Sequence, residues 1–147
     1  TGDFIAPPRT LATFVAAPWA TKGLELSSLK SVARTGDDTA VITVDRLTYY
    51  SGAQAAKYYD THPDLERLDY AVVNQNPRIY SFHLVPGTPV FLGPMIGRTD
   101  PPSASDLQGL VDGFAQAKAQ GREVFVWLRH NDKDNGWATY LAEQYFP

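Results

Sequence analysis

The chain has 147 residues, 44% of them hydrophobic and 20% charged, with a formal net charge of -3 and no cysteine. That length suits one domain that buries roughly two-thirds of its unfolded surface without covalent staples. The cysteine count excludes disulfides, thiol chemistry, cysteine-ligated zinc and iron–sulfur clusters. No apolar run approaches the roughly 20 residues that span a bilayer, so no transmembrane segment is predicted. The acidic balance, with Lys and Arg scattered, predicts no nucleic-acid partner.

Residues 1–23 hold Ala6-Pro7-Pro8 and Ala16-Ala17-Pro18-Trp19 without a sustained period. They read as an extended arm that lays Phe4, Phe14 and Trp19 on a core at 24–147, a disordered tail being the alternative. Two strand-like runs follow, 24–34 and 39–50, around the turn signal Thr35-Gly36-Asp37-Asp38. Alternation is clean only in the first half of the second run.

Ser51-Gly52-Ala53-Gln54 fits a capping box that opens a short helix to about Tyr59, which Pro63 helps to end. Residues 68–73 read as a third strand, broken at Asn74-Gln75-Asn76-Pro77 and resumed over 79–84, with 90–92 as a short edge piece. The clearest helix is 104–120, with Ser103 as N-cap and Gly121 as stop. Leu107, Leu110, Val111, Phe114 and Ala117 make its apolar stripe. Gly109 and Gly113 suit a close approach to a strand. Last come two β-rich runs, Val124 to Arg129 and Trp137 to Phe146, flanking Asn131-Asp132-Lys133-Asp134-Asn135-Gly136. They predict a closing hairpin with Trp127 and Tyr145 as structural members of the barrel or its rim and a solvent-facing loop.

This order predicts a mainly β (α+β) fold. It is read as a small five-stranded, OB-like, partly open barrel, with the long helix between strands 3 and 4 and the short helix after strand 2. The alternative is an open antiparallel sheet with one helix packed on it.

Three blocks carry a resemblance: Val44-Asp45 through Tyr49, Gly52 and Ala55; Asp69-Tyr70 through Val72 and Asn74; and Glu143-Gln144-Tyr145-Phe146-Pro147. In these the chain resembles small exported or lipid-anchored proteins of Gram-positive bacteria, actinobacteria and bacilli, whose function is unassigned. The resemblance implies a secreted or cell-surface location and offers no established activity or catalytic residue to carry over. The start at Thr1 rather than Met fits a removed leader or a trimmed chain.

Chemistry-bearing clusters are few. Asp60-Thr61-His62-Pro63-Asp64 holds part of a cation shell, and a solvated loop is the commoner meaning of such a run. The loop at 131–136 departs from EF-hand spacing. Ser81 and His83 share a strand face but no nucleophile elbow surrounds Ser81. Asp45 and Glu143 suit glycoside hydrolysis only if they face each other across a cleft. Neither a metal nor a cofactor is expected.

The aromatics are the stronger signal. Tyr49, Tyr50, Tyr80, Trp127, Trp137 and Tyr140 are the candidate ligand-binding residues, since such rings stack on sugars or anchor protein interfaces. The functional expectation is a monomeric, exported, non-enzymatic binding or interaction domain, an inhibitor or accessory protein, for a protein or carbohydrate ligand. A small hydrolase acting on cell-wall or extracellular polymer is the alternative.

Overall fold

The computed structural model describes residues 14–74, 78–96, 102–131 and 136–146. The strands are β1 (Glu25–Arg34), β2 (Ala40–Arg46), β3 (Thr48–Ser51), β4 (Tyr70–Val73), β5 (Ile79–Leu84), β6 (Val90–Leu92), β7 (Ser103–Ser105), β8 (Val124–His130) and β9 (Gly136–Gln144). The helices are α1 (Gly52–Asp60) and α2 (Leu107–Ala119). β5, β2, β1, β8 and β9 lie side by side in that order, and β5 pairs again with β9, so five strands close into a barrel. The closing pair is parallel, Phe82 opposite Gly136 and His83 opposite Trp137. The other four junctions are antiparallel.

Strand alternation fills the interior. Ile42 and Val44 of β2, Phe82 and Leu84 of β5, and Val124, Val126 and Leu128 of β8 form one apolar cluster with Leu29 and Leu141. On β9 the phase changes, because Arg129 lies opposite Tyr140 while His130 lies opposite Ala138. Thr139 is the extra residue of this bulge, which lets both Ala138 and Leu141 join the interior cluster. Leu110, Phe114 and Ala117 of α2 complete the same cluster with Ile96.

The structure redraws several sequence boundaries. Ser103 does not cap α2. It lies in β7, antiparallel to β6, and Asp106 caps the helix by accepting from the Gly109 amide at 2.8 Å. The close neighbour of Gly113 is the loop residue Ile96, not a strand: a Cβ at position 113 would sit 2.5 Å from the Ile96 carbonyl oxygen. Ser51 precedes α1, but its side chain makes no capping bond.

The run at 39–50 is two strands in two sheets. β2 ends at Arg46, the Leu47 amide bonds to the Leu26 carbonyl, and β3 leaves the barrel to pair with β4. The predicted bent strand is likewise two: β4 pairs with β3 and β5 pairs with β2. The β6 segment is fully buried, running parallel to β9.

The β3–β4 ribbon and α1 form an appendage on the barrel. Asp45, at the end of β2, holds it by accepting from Asn74 Nδ2 at 2.8 Å and from the Arg78 amide at 3.4 Å. Tyr49, Tyr70 and Phe146 stack with ring centroids 5.1–6.4 Å apart. Residues from β2–β3, from β4 and from the stretch after β9 therefore meet at one seam between appendage and barrel.

Candidate functional site

The outer face of β8 and β9 carries a second apolar cluster, built from Leu26, Phe91, Trp127, Tyr140 and Ala142. It follows from the strand period, which turns Phe125 and Trp127 outward when Val124, Val126 and Leu128 point in. Trp127 is 3% exposed and donates from Nε1 to Gln144 Oε1 at 2.7 Å. Tyr49 meets its ring edge-on at 5.5 Å. The arm lies over this face: Phe14 packs edge-on against Phe91 at 5.7 Å, and the Val15 amide donates to the Tyr140 hydroxyl at 3.0 Å.

Between the arm and the end of β9 lies a cavity of about 360 Å³, walled by Phe14, Pro94, Pro102, Trp127 and Ala142, with Trp19 and Tyr145 also in its lining. Trp19 and Tyr145 are the large apolar groups here that face water, at 53% and 45% exposure. Tyr145, expected as a structural member of the barrel or its rim, directly follows β9 and is largely exposed. The polar groups of the wall are already engaged. Glu143 is 3% exposed, and its carboxylate accepts from the amides of Gly93 (2.8 Å), Met95 (2.8 Å) and Ile96 (3.0 Å). Gln144 takes the Trp127 indole and donates to the Tyr145 carbonyl at 2.9 Å.

The six candidate aromatics do not form one surface. Trp127 lines the cavity. Tyr140 lies under the arm, fully buried. Tyr49 is half-buried in the seam, and its neighbour Tyr50 turns the other way to stack on Tyr58 of α1 at 5.9 Å. Tyr80 is buried, with the guanidinium carbons of Arg46 and Arg78 at 5.3 and 4.8 Å from its ring centroid. Trp137 is half-buried on β9, opposite His83.

Burial raises the Tyr140 hydroxyl above the usual tyrosine value, an effect partly offset by the donated Val15 amide. Burial also raises Tyr49, with a smaller contribution from the charge of Tyr70. A group whose native value is raised stabilises the fold fully below its unfolded value, about pH 10 for tyrosine, and that contribution disappears as pH climbs through the native value. Stability should therefore fall above about pH 10, and Tyr140→Phe should make the fall shallower. At neutral pH that substitution should cost about 1 kcal/mol, because the Val15 amide loses its acceptor. Urea titrations of both proteins at neutral and alkaline pH measure the two effects.

Three ionisable groups also converge, on β1, β2 and β8. Glu25 accepts from Arg46 Nη2 at 2.8 Å and from His130 Nε2 at 3.0 Å, and His130 stacks on Phe82 at 4.3 Å. Nδ1 of His130 is buried and has no partner among the described residues. Glu25 and His130 are 105 positions apart, and nothing local in the sequence joins them.

The other sequence candidates are separate. Asp45 and Glu143 are held by different partners, Asp45 by Asn74 and the Arg78 amide and Glu143 by the amides of Gly93, Met95 and Ile96. Asp60 pairs with Arg67 at 2.9 Å, and His62 Nδ1 donates to the Tyr58 carbonyl at 2.8 Å. No group of three or more metal-ligating side chains occurs among the described residues. Nor is any helix there long and apolar enough to cross a membrane. Ser81 and His83 are half-buried on one face of β5. In the closing loop, Asn131 Oδ1 accepts from the Trp137 amide at 2.6 Å, and positions 132–135 lie outside the described residues. Phe4 lies outside them too.

Comparison with protein-family models, curated proteins and solved structures gives no match.

Proposed function

We propose that this chain is an extracytoplasmic, non-enzymatic interaction domain on an OB-type barrel, and that its cavity beside Trp127 receives an apolar side chain of a protein partner. The barrel assignment is supported by the strand order β1-β2-β5-β9-β8, the parallel closure of β5 on β9, and the place of α2 between β5 and β8 in the chain. The location rests on the resemblance to exported Gram-positive proteins.

The observation that carries the interaction reading is the chemistry of the cavity wall. Its surface is aromatic, aliphatic and proline-rich, while the Glu143 carboxylate is held by three amides and Gln144 is bonded at both ends of its amide. A hydrolase needs an ionisable group free to exchange a proton with substrate, held within hydrogen-bond reach of it. A binding site needs apolar area and aromatic anchors, which this wall offers at Trp19 and Tyr145.

The test uses anilinonaphthalene sulfonate as an amphipathic aromatic probe of the folded protein. One saturable site is expected, weakened about tenfold in the Trp19→Ala, Tyr145→Ala double variant, a loss of about 1.4 kcal/mol. Both residues are well exposed, so the melting temperature should barely move. Absence of a saturable site, or equal affinity in parent and variant, would overturn the assignment.

A further inference from the structure

A second surface, independent of the cavity beside Trp127, lies where the β3–β4 ribbon carries α1. Alternation along β3 turns Tyr49 to the barrel and Tyr50 to the helix. Tyr50 then forms one wall of a groove of about 380 Å³ whose other lining residues are Gln54, Lys57, Tyr58 and Thr61. Those four lie on a single helix stripe, since positions i, i+3, i+4 and i+7 share a face.

The rings of this groove are fixed in place. Tyr50 and Tyr58 stack at 5.9 Å and 28°, and His62 stacks on Tyr58 at 4.2 Å and 22°. The imidazole cannot swing away freely, because its Nδ1 is bonded to the Tyr58 carbonyl. The helix beneath is braced in turn. Tyr59 is buried and donates to the Tyr70 carbonyl at 2.8 Å, while Arg67 bonds Asp60 at 2.9 Å and the Ala56 carbonyl at 3.3 Å. Exposed aromatic side chains lose rotamer freedom when they bind, and these have already lost it.

The polar groups beside the rings are uncommitted. Among the described residues the Gln54 amide, the Lys57 ammonium and the Tyr58 hydroxyl have no hydrogen-bond partner. Fixed rings flanked by free donors and acceptors suit a ligand that presents an apolar C–H face and a rim of hydroxyls. A purely apolar ligand would leave the rim groups unused, and a phosphate would find a single lysine and no arginine among the lining residues.

We infer that the groove between β3 and α1 binds a neutral saccharide. A pyranose lies against the Tyr50 wall of the groove, and its hydroxyls bond to Gln54 and Lys57.

The experiment is a ¹H–¹⁵N correlation titration of the whole chain with cellotetraose and, separately, with N-acetylchitotetraose. At least one should shift resonances within residues 50–62 saturably, leaving those of Trp19 and Tyr145 in place. Gln54→Ala, Lys57→Ala should weaken that binding roughly threefold to tenfold with an unchanged melting temperature, these side chains being exposed and bonded to no protein group. Tyr50→Ala should weaken it by a similar factor through lost stacking. If Tyr50→Ala proves unstable, the Gln54, Lys57 pair still decides. No perturbation with either sugar at about 10 mM, where a millimolar site would be mostly filled, overturns the inference. So do shifts confined to other surfaces, or binding unchanged in the Gln54, Lys57 variant. Failure of the dye to bind beside Trp127 leaves this inference standing, because the two surfaces share no residue.

Discussion

Glu143→Ala should cost about 3–5 kcal/mol of folding stability. The residue is 3% exposed, and its carboxylate is the acceptor for three amides, those of Gly93, Met95 and Ile96. Each bond is charge-assisted, and each amide loses its acceptor when the side chain is truncated, at about 1–3 kcal/mol for a buried donor. Water entering the space left by the carboxylate limits the sum, which sets the upper figure. The damage should also spread. The 93–96 segment carries Ile96 into the barrel core and against Gly113 of α2, so releasing it loosens one end of the interior. Glu143→Gln should cost roughly half as much, because one carbonyl acceptor remains while the new NH₂ faces an amide donor. Urea denaturation gives both numbers, and a loss below about 1 kcal/mol for the alanine variant would mean that the three bonds add little.

The same residue shows how far the sequence could be read. The terminal block from Glu143 to Phe146 is distinctive as a string, and three of its members act separately. Glu143 clamps a loop, Gln144 takes the Trp127 indole, and Phe146 stacks on Tyr49 and Tyr70. None of these partners is local, so the string announces importance without saying of what kind. Where the signal is local, the structure follows it. The turn at 35–39 joins β1 to β2, the alternation from Val124 to Leu128 separates inner from outer side chains, and Leu110, Phe114 and Ala117 of the α2 stripe join the core while Leu107 and Val111 are half-buried.

The failures share one cause, which is competition from tertiary partners. Between Thr39 and Tyr50 the alternation weakens in the second half but no turn residue marks a break, and there the Leu47 amide finds Leu26 and the chain leaves the barrel. Ser103 is a better N-cap by type than by position, because β6 offers it a strand partner and Asp106 stands ready to cap. The cavity was out of reach for the same reason. Phe14 and Trp19 of the arm, Pro94, Pro102 and Tyr145 come together only when the barrel has closed. Of the six aromatics singled out, Trp127 alone lines it, and composition could not have separated that ring from the buried Tyr140.

Leu110→Ala is expected to lose about 2–5 kcal/mol, at the upper end of that range if the space cannot collapse. Leu110 is fully buried on the face of α2 that joins Leu29, Val124 and Ile96 in the interior cluster. Relaxation is restricted from both sides. On the helix side, one turn along the same face from Leu110, Gly113 already touches Ile96, since a single added carbon would fall 2.9 Å from the Ile96 Cβ, so α2 has no room to settle closer there. In front, the strands are tied to one another around a closed barrel and cannot bow inward one at a time. Val111→Ala is the internal control. Val111 is half-buried beside Leu110 on the same helix, so the two substitutions probe the same element and differ mainly in the cavity they leave, with Val111→Ala also gaining about 0.5 kcal/mol in helix propensity. It should cost less than about 1.5 kcal/mol. Equal losses in the two variants, measured by chemical denaturation with unchanged m-values, would show that α2 covers the barrel without sealing it.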